Sequence, residues 1–563
     1  MGVCATIRAC AAALASHSAA PVATVRADAA RALGVFADRR TAPAVVGGAA
    51  AALLALFVAW PLLLVLVRGA TRSAELAGGA WLAVLARSLA VAAVSTAVAV
   101  ALGSGLAYAV TRADVPGKRL VAIACRLPAV LPPFFAALAL LLLFGDGGLV
   151  VRVLGRRAAI AGFAGIVVAQ TVAFLPDAFL VMVQTLRRTD DALEEAALNL
   201  GAGALATARG VTLALARPGL AWAALSVFVL CLSDFGNPFL IGGGFGVLTT
   251  EIYARAAGAH DLGGAAALSV SLIVPCLLAH ALTTGWLGAP PRPSRWTIHL
   301  GAGRRLSSRA RGLVLVAAAG SALALLCLYG GIALASIVRL SGTRPGLSLV
   351  HYRELGTAAG TSPIVASLAL ALLAAGVGSV LATAIGRLAT RPRAVGATLI
   401  ERCARLPAAL PGTVLGVGYL LAFAGAAGPP AGTIWILVAS IVFGKLPRAV
   451  STAVEFEQSL PPALEEVARS LGAGPARTFA RVTLPCLIPA GVATFVELFI
   501  DGVATVSALV LLVPAGFAPL SVASLDRARQ GDLGLACALG TVLGALTLCA
   551  VGLYRRAVDR SGA

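Results

Sequence analysis

The chain has 563 residues, of which 59% are hydrophobic and only 12% are charged, and its net charge is +20. This composition excludes a soluble globular protein, in which about a quarter of the residues carry a charge. The basic excess does not indicate nucleic acid, because the arginines stand in short loops between apolar runs and no aromatic residues are interleaved with them. The sequence therefore predicts an all-α polytopic membrane protein whose surroundings are the lipid bilayer.

A spanning helix needs about 20 mostly apolar residues, and twelve such runs follow one another along the chain. Residues 1–45 precede them as an arginine- and alanine-containing tail without the hydrophobic core of a signal peptide. The predicted spans are 47–67, 85–110, 119–144, 158–186, 215–241, 263–287, 312–338, 362–388, 404–426, 431–453, 486–512 and 532–554.

The second half of the chain repeats the first. Arg126-Leu-Pro-Ala-Val-Leu-Pro132 returns as Arg405-Leu-Pro-Ala-Ala-Leu-Pro411, and a later polar stretch returns at the constant offset that takes Glu195 to Glu466. Each half holds six spans, an even number, so both halves enter the membrane in the same sense. We expect two parallel halves related by a pseudo-twofold axis along the membrane normal.

The polar stretch that repeats is residues 190–213, here called loop one, and residues 461–484, here called loop two. Apolar residues recur at helical spacing in both, and Gly201 or Gly472 then supplies the positive φ that a sharp turn after a helix requires. Each loop is predicted to be a helix, a turn and a second helix. The residues that establish the helical spacing are Leu193, Ala196, Ala197 and Leu200 in loop one and Leu464, Val467, Ala468 and Leu471 in loop two.

Most of the 44 lysines and arginines fall on the side of the membrane that holds the N-terminus if the spans alternate. This asymmetry predicts cytoplasmic N- and C-termini and places both loops in the cytoplasm. ATP hydrolysis is expected on another protein, because a phosphate-binding loop needs G-x-x-x-x-G-K followed by Ser or Thr. Neither Lys118 nor Lys445 stands in such a sequence. We predict no catalytic residue, no metal site and no cofactor.

Both loops resemble the cytoplasmic loop of type-1 permease subunits of ATP-binding-cassette importers. The shared pattern is E-A-A, three residues, Gly, nine residues, an apolar residue, one residue and Leu-Pro. Val467 replaces one alanine of the pattern in loop two, and Ala214 replaces the final proline in loop one, which is expected to soften one bend. The matching residues are Glu195, Ala196, Ala197, Gly201, Val211 and Leu213 in loop one, and Glu466, Ala468, Gly472, Val482, Leu484 and Pro485 in loop two.

The resemblance implies a permease in the cell inner membrane whose two loops dock a dimer of ATPase subunits. A periplasmic or lipid-anchored binding protein would deliver the cargo. Glu194, Glu195, Glu465 and Glu466 are expected to remain available to basic partners. The predicted domains are 1–45 (tail), 46–84 (first helix and loop), 85–287 (first type-1 domain), 288–312 (basic linker), 313–362 (seventh helix and loop), 363–554 (second type-1 domain) and 555–563 (C-terminal tail).

Three stretches, 233–243, 247–253 and 504–513, are most similar to permeases for ferric iron or 2-aminoethylphosphonate. Thiamine, sulfate and molybdate stay open as alternative cargoes, and a gradient-driven secondary transporter with twelve spans is the alternative mechanism. Charged residues inside spans are candidates for the translocation path, and here Lys445 and Arg448 are placed near a segment end. Asp234, Asn237, Asp501, Thr505 and Ser507 are predicted either to face the interface between the halves or to cap half-helices.

Overall fold

The computed structural model describes residues 41–72, 79–145, 148, 150–151, 155, 160–287, 308–339, 346–355, 358–390, 396–424, 432–461, 463–514 and 516–561. Most of the predicted N-terminal tail and basic linker lies outside the described residues. Ten helices in this part of the chain are long and apolar enough to span a membrane, and the number is twelve if two bent helix pairs each count as one span.

The first half contains α1 (Thr41–Leu54), α2 (Trp60–Thr71), α3 (Ala80–Thr111), α4 (Lys118–Ala124), α5 (Phe135–Phe144), α6 (Phe163–Arg188), α7 (Asp191–Asn199), α8 (Ala204–Thr207), α9 (Leu213–Ser233), α10 (Gly236–Ile241), α11 (Leu248–Tyr253) and α12 (Leu262–Trp286). The π-helical segment Ala55–Ala59 joins α1 to α2, so that they form one span.

The second half contains α13 (Ser308–Ser336), α14 (Val350–Leu355), α15 (Ala358–Ala389), α16 (Ala397–Arg405), α17 (Gly412–Phe423), α18 (Ile434–Ser459), α19 (Ala463–Ser470), α20 (Pro475–Thr478), α21 (Leu484–Ala504), α22 (Leu509–Leu512), α23 (Leu520–Arg529) and α24 (Leu533–Ser561). A short antiparallel ribbon of β1 (Val338–Arg339) and β2 (Gly346–Leu347) follows α13.

The halves repeat one backbone design. Helices α6, α8 and α9 have the same bounds as α18, α20 and α21 once the loop offset between the halves is applied. Side chains repeat as well: the Leu248 amide donates to Ser88 Oγ at 2.8 Å, and the Leu520 amide donates to Ser367 Oγ. These two hydrogen bonds tie the second span of each half to the short helix that precedes its last span.

The third span of each half, predicted as one segment over 119–144 or 404–426, is bent. The axis turns by 104° between Lys118–Val130 and Phe135–Phe144 and by 112° between Ala397–Ala409 and Gly412–Phe423. Proline causes both bends, because it lacks an amide proton and disfavours the helical conformation in the preceding residue. The Leu-Pro that closes the repeated motif, at Pro132 and Pro411, therefore marks the bend in the sequence.

The fifth spans are also shorter than the predicted segments 215–241 and 486–512. They end at Ser233 and Ala504, and an extended or irregular stretch separates each from a short helix, α10 or α22. Phe235 and Val506, which are equivalent at the loop offset, lie in one apolar cluster built from both halves. The two breaks therefore meet at the interface between the halves.

The first and seventh spans hold the two halves together. The span α1–α2 packs on α12 of its own half and on α15, α16 and α17 of the other half. Tyr419 Oη donates to the Phe57 carbonyl at 2.9 Å, and the Phe57 ring stacks on Phe443. In return α13 packs on α24 and also on α4 and α5 of the first half. The first span is thus an integral part of the bundle.

Candidate functional site

Loop one is a helix, a turn and a second helix, as the sequence predicted. Helix α7 begins after Asp190, whose Oδ1 accepts a hydrogen bond from the Ala192 amide at 3.0 Å. The turn follows at Gly201, where φ is +86°. A Cβ on Gly201 would meet no atom within 4 Å, so the backbone conformation alone requires glycine there. Helix α8 and the π-helical segment Ala208–Thr212 then lead into α9.

Loop two repeats these elements with the same bounds from α20 onward. Gly472 has φ +80°, and a Cβ there would also meet open space. Loop one has Ala214 where loop two has Pro485, and the order of elements is nevertheless the same in both loops. The two loops therefore share one backbone design despite their different residues.

Arg112, at the end of α3, anchors loop one. Its Nη2 donates to the carbonyls of Leu186 and Thr189, which end α6, at 2.6 and 2.9 Å. Its Nε lies 3.4 Å from Glu194 Oε1, and the two side chains are 9% and 3% exposed. One guanidinium therefore joins α3, the end of α6 and α7. The Glu194 side chain is buried and paired within its own chain, so the expectation that it stays available to a basic partner is wrong.

Arg387, in the last turn of α15, anchors loop two. Its Nη1 donates to Glu457 Oε1 on α18 at 3.2 Å, and its Nη2 donates to Glu465 Oε1 on α19. Arg469 and Thr483 also donate to Glu465, at 3.1 and 3.0 Å. Glu465, like Glu194, is thus engaged within the chain, although its side chain remains 27% exposed. Neither anchor was visible in the local pattern, because each partner lies far away in sequence.

The outward face of each loop is apolar. Leu200 and Leu471, which are equivalent, are 88% and 81% exposed, and Leu193 and Leu464 are also exposed. The remaining predicted residues surround this face. Glu195, Ala196, Gly201, Leu213, Glu466, Gly472, Leu484 and Pro485 are exposed, and Ala197, Val211, Ala468 and Val482 are half-buried. The stripe predicted from helical spacing exists, and it faces away from the bundle.

In the first half, the predicted path residues Asp234 and Asn237 form a buried polar cluster with Gln170. Asp234 Oδ2 accepts from Asn237 Nδ2 at 2.9 Å and from Gln170 Nε2 at 3.2 Å. Asn237 is fully buried, and its Oδ1 accepts from the Ala137 amide. Asp234 follows the last residue of α9, so this cluster stabilises the break in the fifth span.

In the second half, the equivalent region carries an ion-pair network. Arg448 Nη1 donates to both carboxylate oxygens of Asp501, at 2.9 and 2.7 Å, and Arg448 Nε lies 3.7 Å from Glu497 Oε1. Thr452 Oγ1 donates to Glu497 at 2.8 Å. Arg448 lies in the middle of α18 and not near its end, because the helix continues to Ser459.

Thr505 and Ser507 lie at the break that follows α21, and both are half-buried. The Thr505 carbonyl accepts from Ser521 Oγ at 2.8 Å, as the Asp234 carbonyl accepts from Thr249 Oγ1 at 2.8 Å in the first half. Ser507 packs against Gly412, where an added Cβ would lie 2.8 Å from Ser507 Cβ. These contacts belong to half-helix ends, and a place on the translocation path remains a prediction.

Comparison with known proteins identifies the family of the chain. A family model described as the binding-protein-dependent transport system inner membrane component matches residues 374–561. The chain is 31% identical over 206 residues to the probable molybdenum ABC transporter permease protein of Haloferax volcanii, which covers 35% of this chain and 74% of that protein. The chain belongs to this permease family.

Two further members differ in how much of the chain they match. The ferric transport system permease protein FbpB of Actinobacillus pleuropneumoniae is 31% identical over 432 residues, which are 74% of this chain and 62% of that protein. The putative 2-aminoethylphosphonate transport system permease protein PhnV of Salmonella paratyphi A is 30% identical over 161 residues, 27% of this chain and 58% of that protein. This permease thus spans about three fifths of the length of the Actinobacillus protein.

Sequence reasoning missed three functional candidates of this permease, Arg112, Arg387 and Gln170. The sequence nevertheless held a signal that the charged residues inside the spans differ between the halves. Arg448 of the second half stands at the position that corresponds to Asp177 in the first. The halves therefore carry opposite charges at one position. Family membership places the chain in the membrane as a multi-pass protein. The relatives that it matches are named as permease proteins of transport systems.

Proposed function

We propose that this protein is the permease subunit of an ATP-driven importer and that a dimer of ATPase subunits docks on loops one and two. The observation that carries the proposal is the pair of exposed leucines, Leu200 and Leu471, at equivalent positions on two equivalent loops. A dimeric partner with two identical grooves would cover both. A secondary transporter has no need of two matched docking helices at one end of its bundle.

The chemistry of each loop fits a groove with an apolar floor and a basic rim. Burial of exposed apolar surface favours association by about 25 cal/mol per Å². Glu195 and Glu466 are exposed beside the leucines and can pair with basic side chains at the edge of the contact. Glu194 and Glu465 take no part, because they hold the loops to their own bundle.

The docking experiment replaces both leucines, Leu200→Ser and Leu471→Ser, and measures retention of the ATPase on the affinity-purified protein. We expect the native protein to retain the ATPase and the double variant to lose it, because the apolar contact is removed without loss of a buried residue. Leu347→Ser is the matched control, since Leu347 is 80% exposed on the ribbon after α13. A native protein that retains no ATPase, or a double variant that retains it fully, would refute the proposal.

We propose further that both loops and both termini lie in the cytoplasm, as the distribution of lysine and arginine indicates. In a cysteine-free background, Ser470→Cys in loop two and Ser348→Cys beside the ribbon should lie on opposite sides of the membrane. A membrane-impermeant maleimide applied to intact cells should label the second and not the first. Labelling of the loop in intact cells would reverse the topology and exclude a cytoplasmic ATPase.

The proposed cargo is ferric iron, because the FbpB protein named for ferric transport matches 74% of the chain and PhnV only 27%. The second candidate is a phosphonate such as 2-aminoethylphosphonate. Uptake of radiolabelled ferric iron and of 2-aminoethylphosphonate should be compared in cells that express the permease with its ATPase and binding protein. ATP-dependent iron uptake supports the first cargo, and uptake of phosphonate alone overturns it. Uptake driven by an ion gradient without ATP would reject the importer mechanism itself.

A further inference from the structure

We propose that Arg112 and Arg387 are positioning residues that transmit the movement of a docked ATPase from the loops into the spans. This inference rests on the proposed function, because it assumes that the ATPase moves the loops. Each arginine stands at the end of the second span of its half and contacts two further elements. These are the end of the fourth span and the first helix of the loop.

The loops need such an anchor because they are short. Helix α7 has nine residues and α19 has eight, and isolated helices of this length are unstable in water. Their apolar faces point away from the bundle, so hydrophobic packing on those faces cannot hold them to it. The charged contacts of Glu194 and Glu465 therefore carry much of the connection between each loop and its half.

The two arginines reach this contact from different sequence positions. When the two Arg-Leu-Pro motifs are aligned, the residue matched to Arg112 is Arg391, which lies outside the described residues, and the residue matched to Arg387 is Tyr108. The same three-element contact is thus made from positions about one helical turn apart. Among the described residues, each half thus joins its second span, the end of its fourth span and the first helix of its loop through an arginine.

The anchors also engage the rigid part of each half. Helix α3 packs extensively on α6 and α9, and α15 packs on α18 and α21. A displacement of α7 or α19 that is transferred to the arginine therefore moves three spans together. Without the arginine, each loop keeps its chain connections and its packing on the π-helical segment that begins the fifth span, and α19 also keeps the hydrogen bond from Thr483 to Glu465.

The test measures two quantities on the full permease reconstituted with its ATPase, namely the amount of ATPase retained and the cargo transported per ATP hydrolysed. For Arg112→Ala and Arg387→Ala we expect retained ATPase and a fall of about tenfold in cargo per ATP, which is within the usual range of coupling between sites. Arg112→Lys should recover part of the coupling. Arg188→Ala is the control, because Arg188 is an exposed arginine at the same end of α6.

The double variant Arg112→Ala with Glu194→Ala distinguishes a role in coupling from a role in stability alone. It leaves no buried carboxylate without its partner, so the protein should regain stability and yet remain uncoupled. Recovery of native coupling in the double variant would overturn the proposal, as would native coupling in both single variants or loss of ATPase binding in them. Failure of the native protein to bind any ATPase would instead refute the proposed function, so the two failures are distinguishable.

Discussion

Loops one and two share a backbone but not the chemistry that anchors it. In loop one the ion pair of Arg112 and Glu194 is buried, and the arginine uses its other donors on backbone carbonyls. In loop two Glu465 is partly exposed and accepts from three side chains, among them Arg387. The two loops thus share the turn and the outward apolar face, whereas the charged contact that holds the loop to its bundle differs between the halves.

The intramembrane regions diverge in the same way. Asp234 in the first half is held by two amide side chains, Gln170 and Asn237, whereas Asp501 in the second half is held by Arg448. The first arrangement lies at the break after the fifth span, whereas the second joins α18 to α21. The comparison of the halves yields four predictions, which are given in order of decreasing effect.

The largest difference between the loops is expected from Glu194→Gln and Glu465→Gln. The first change leaves Arg112 buried without a counter-charge, which should cost about 3 kcal/mol. The second removes a more exposed pair and should cost about 0.5–1 kcal/mol. Hydrogen exchange of the α7 amides should then accelerate by about 100-fold, against less than about tenfold for α19. Equal acceleration in both loops would contradict the assigned difference in burial.

Arg448→Gln should destabilise the second half by about 2 kcal/mol, because Asp501 is left buried within the bundle without its cation. The cost is below that of a fully buried pair, since the Arg448 side chain is 38% exposed. Thermal unfolding of the purified protein followed by size-exclusion chromatography measures the change. The double variant Arg448→Gln with Asp501→Asn should recover most of it, and a double variant as unstable as the single one would exclude the ion pair as the cause.

Gly201→Ala and Gly472→Ala should each cost about 1–2 kcal/mol, because alanine resists positive φ. The two costs should be equal, since a Cβ meets open space at both sites. Gly203→Ala is the control, because Gly203 also faces open space and has no positive φ. Hydrogen exchange of α7 and α19 reports the effect. A large cost at Gly203, or unequal costs at the two turns, would show that the loops are less alike than their backbones indicate.

Asp190→Ala is expected to have the smallest effect, about 1 kcal/mol, through loss of the cap on α7. Pro461 stands at the equivalent position of loop two and cannot cap a helix with its side chain. Pro461→Ala should therefore leave exchange at the start of α19 nearly unchanged. Faster exchange there after Pro461→Ala would mean that the proline stabilises the start of α19 through its fixed φ, as the Asp190 cap stabilises the start of α7.

The local features of this protein were predictable from its sequence. Long apolar runs predicted the membrane class and the number of spans, and the constant offset between the two polar stretches predicted equivalent loops. Gly201 and Gly472 predicted the turns, because the need for positive φ at a helix end depends only on neighbouring residues. The outward apolar face also followed from helical spacing, although spacing alone could not say which side of the helix the bundle would leave open.

The tertiary structure alone decided which residues meet. The sequence assigned Glu194 to an outside partner, and only the tertiary fold brought Arg112, at the end of α3, to it. In the same way the crossing of α1–α2 to the other half and the pairing of Arg448 with Asp501 depend on contacts between distant segments. Helical period and turn residues act over a few positions, whereas the choice of a charged partner is made only when the whole bundle has packed.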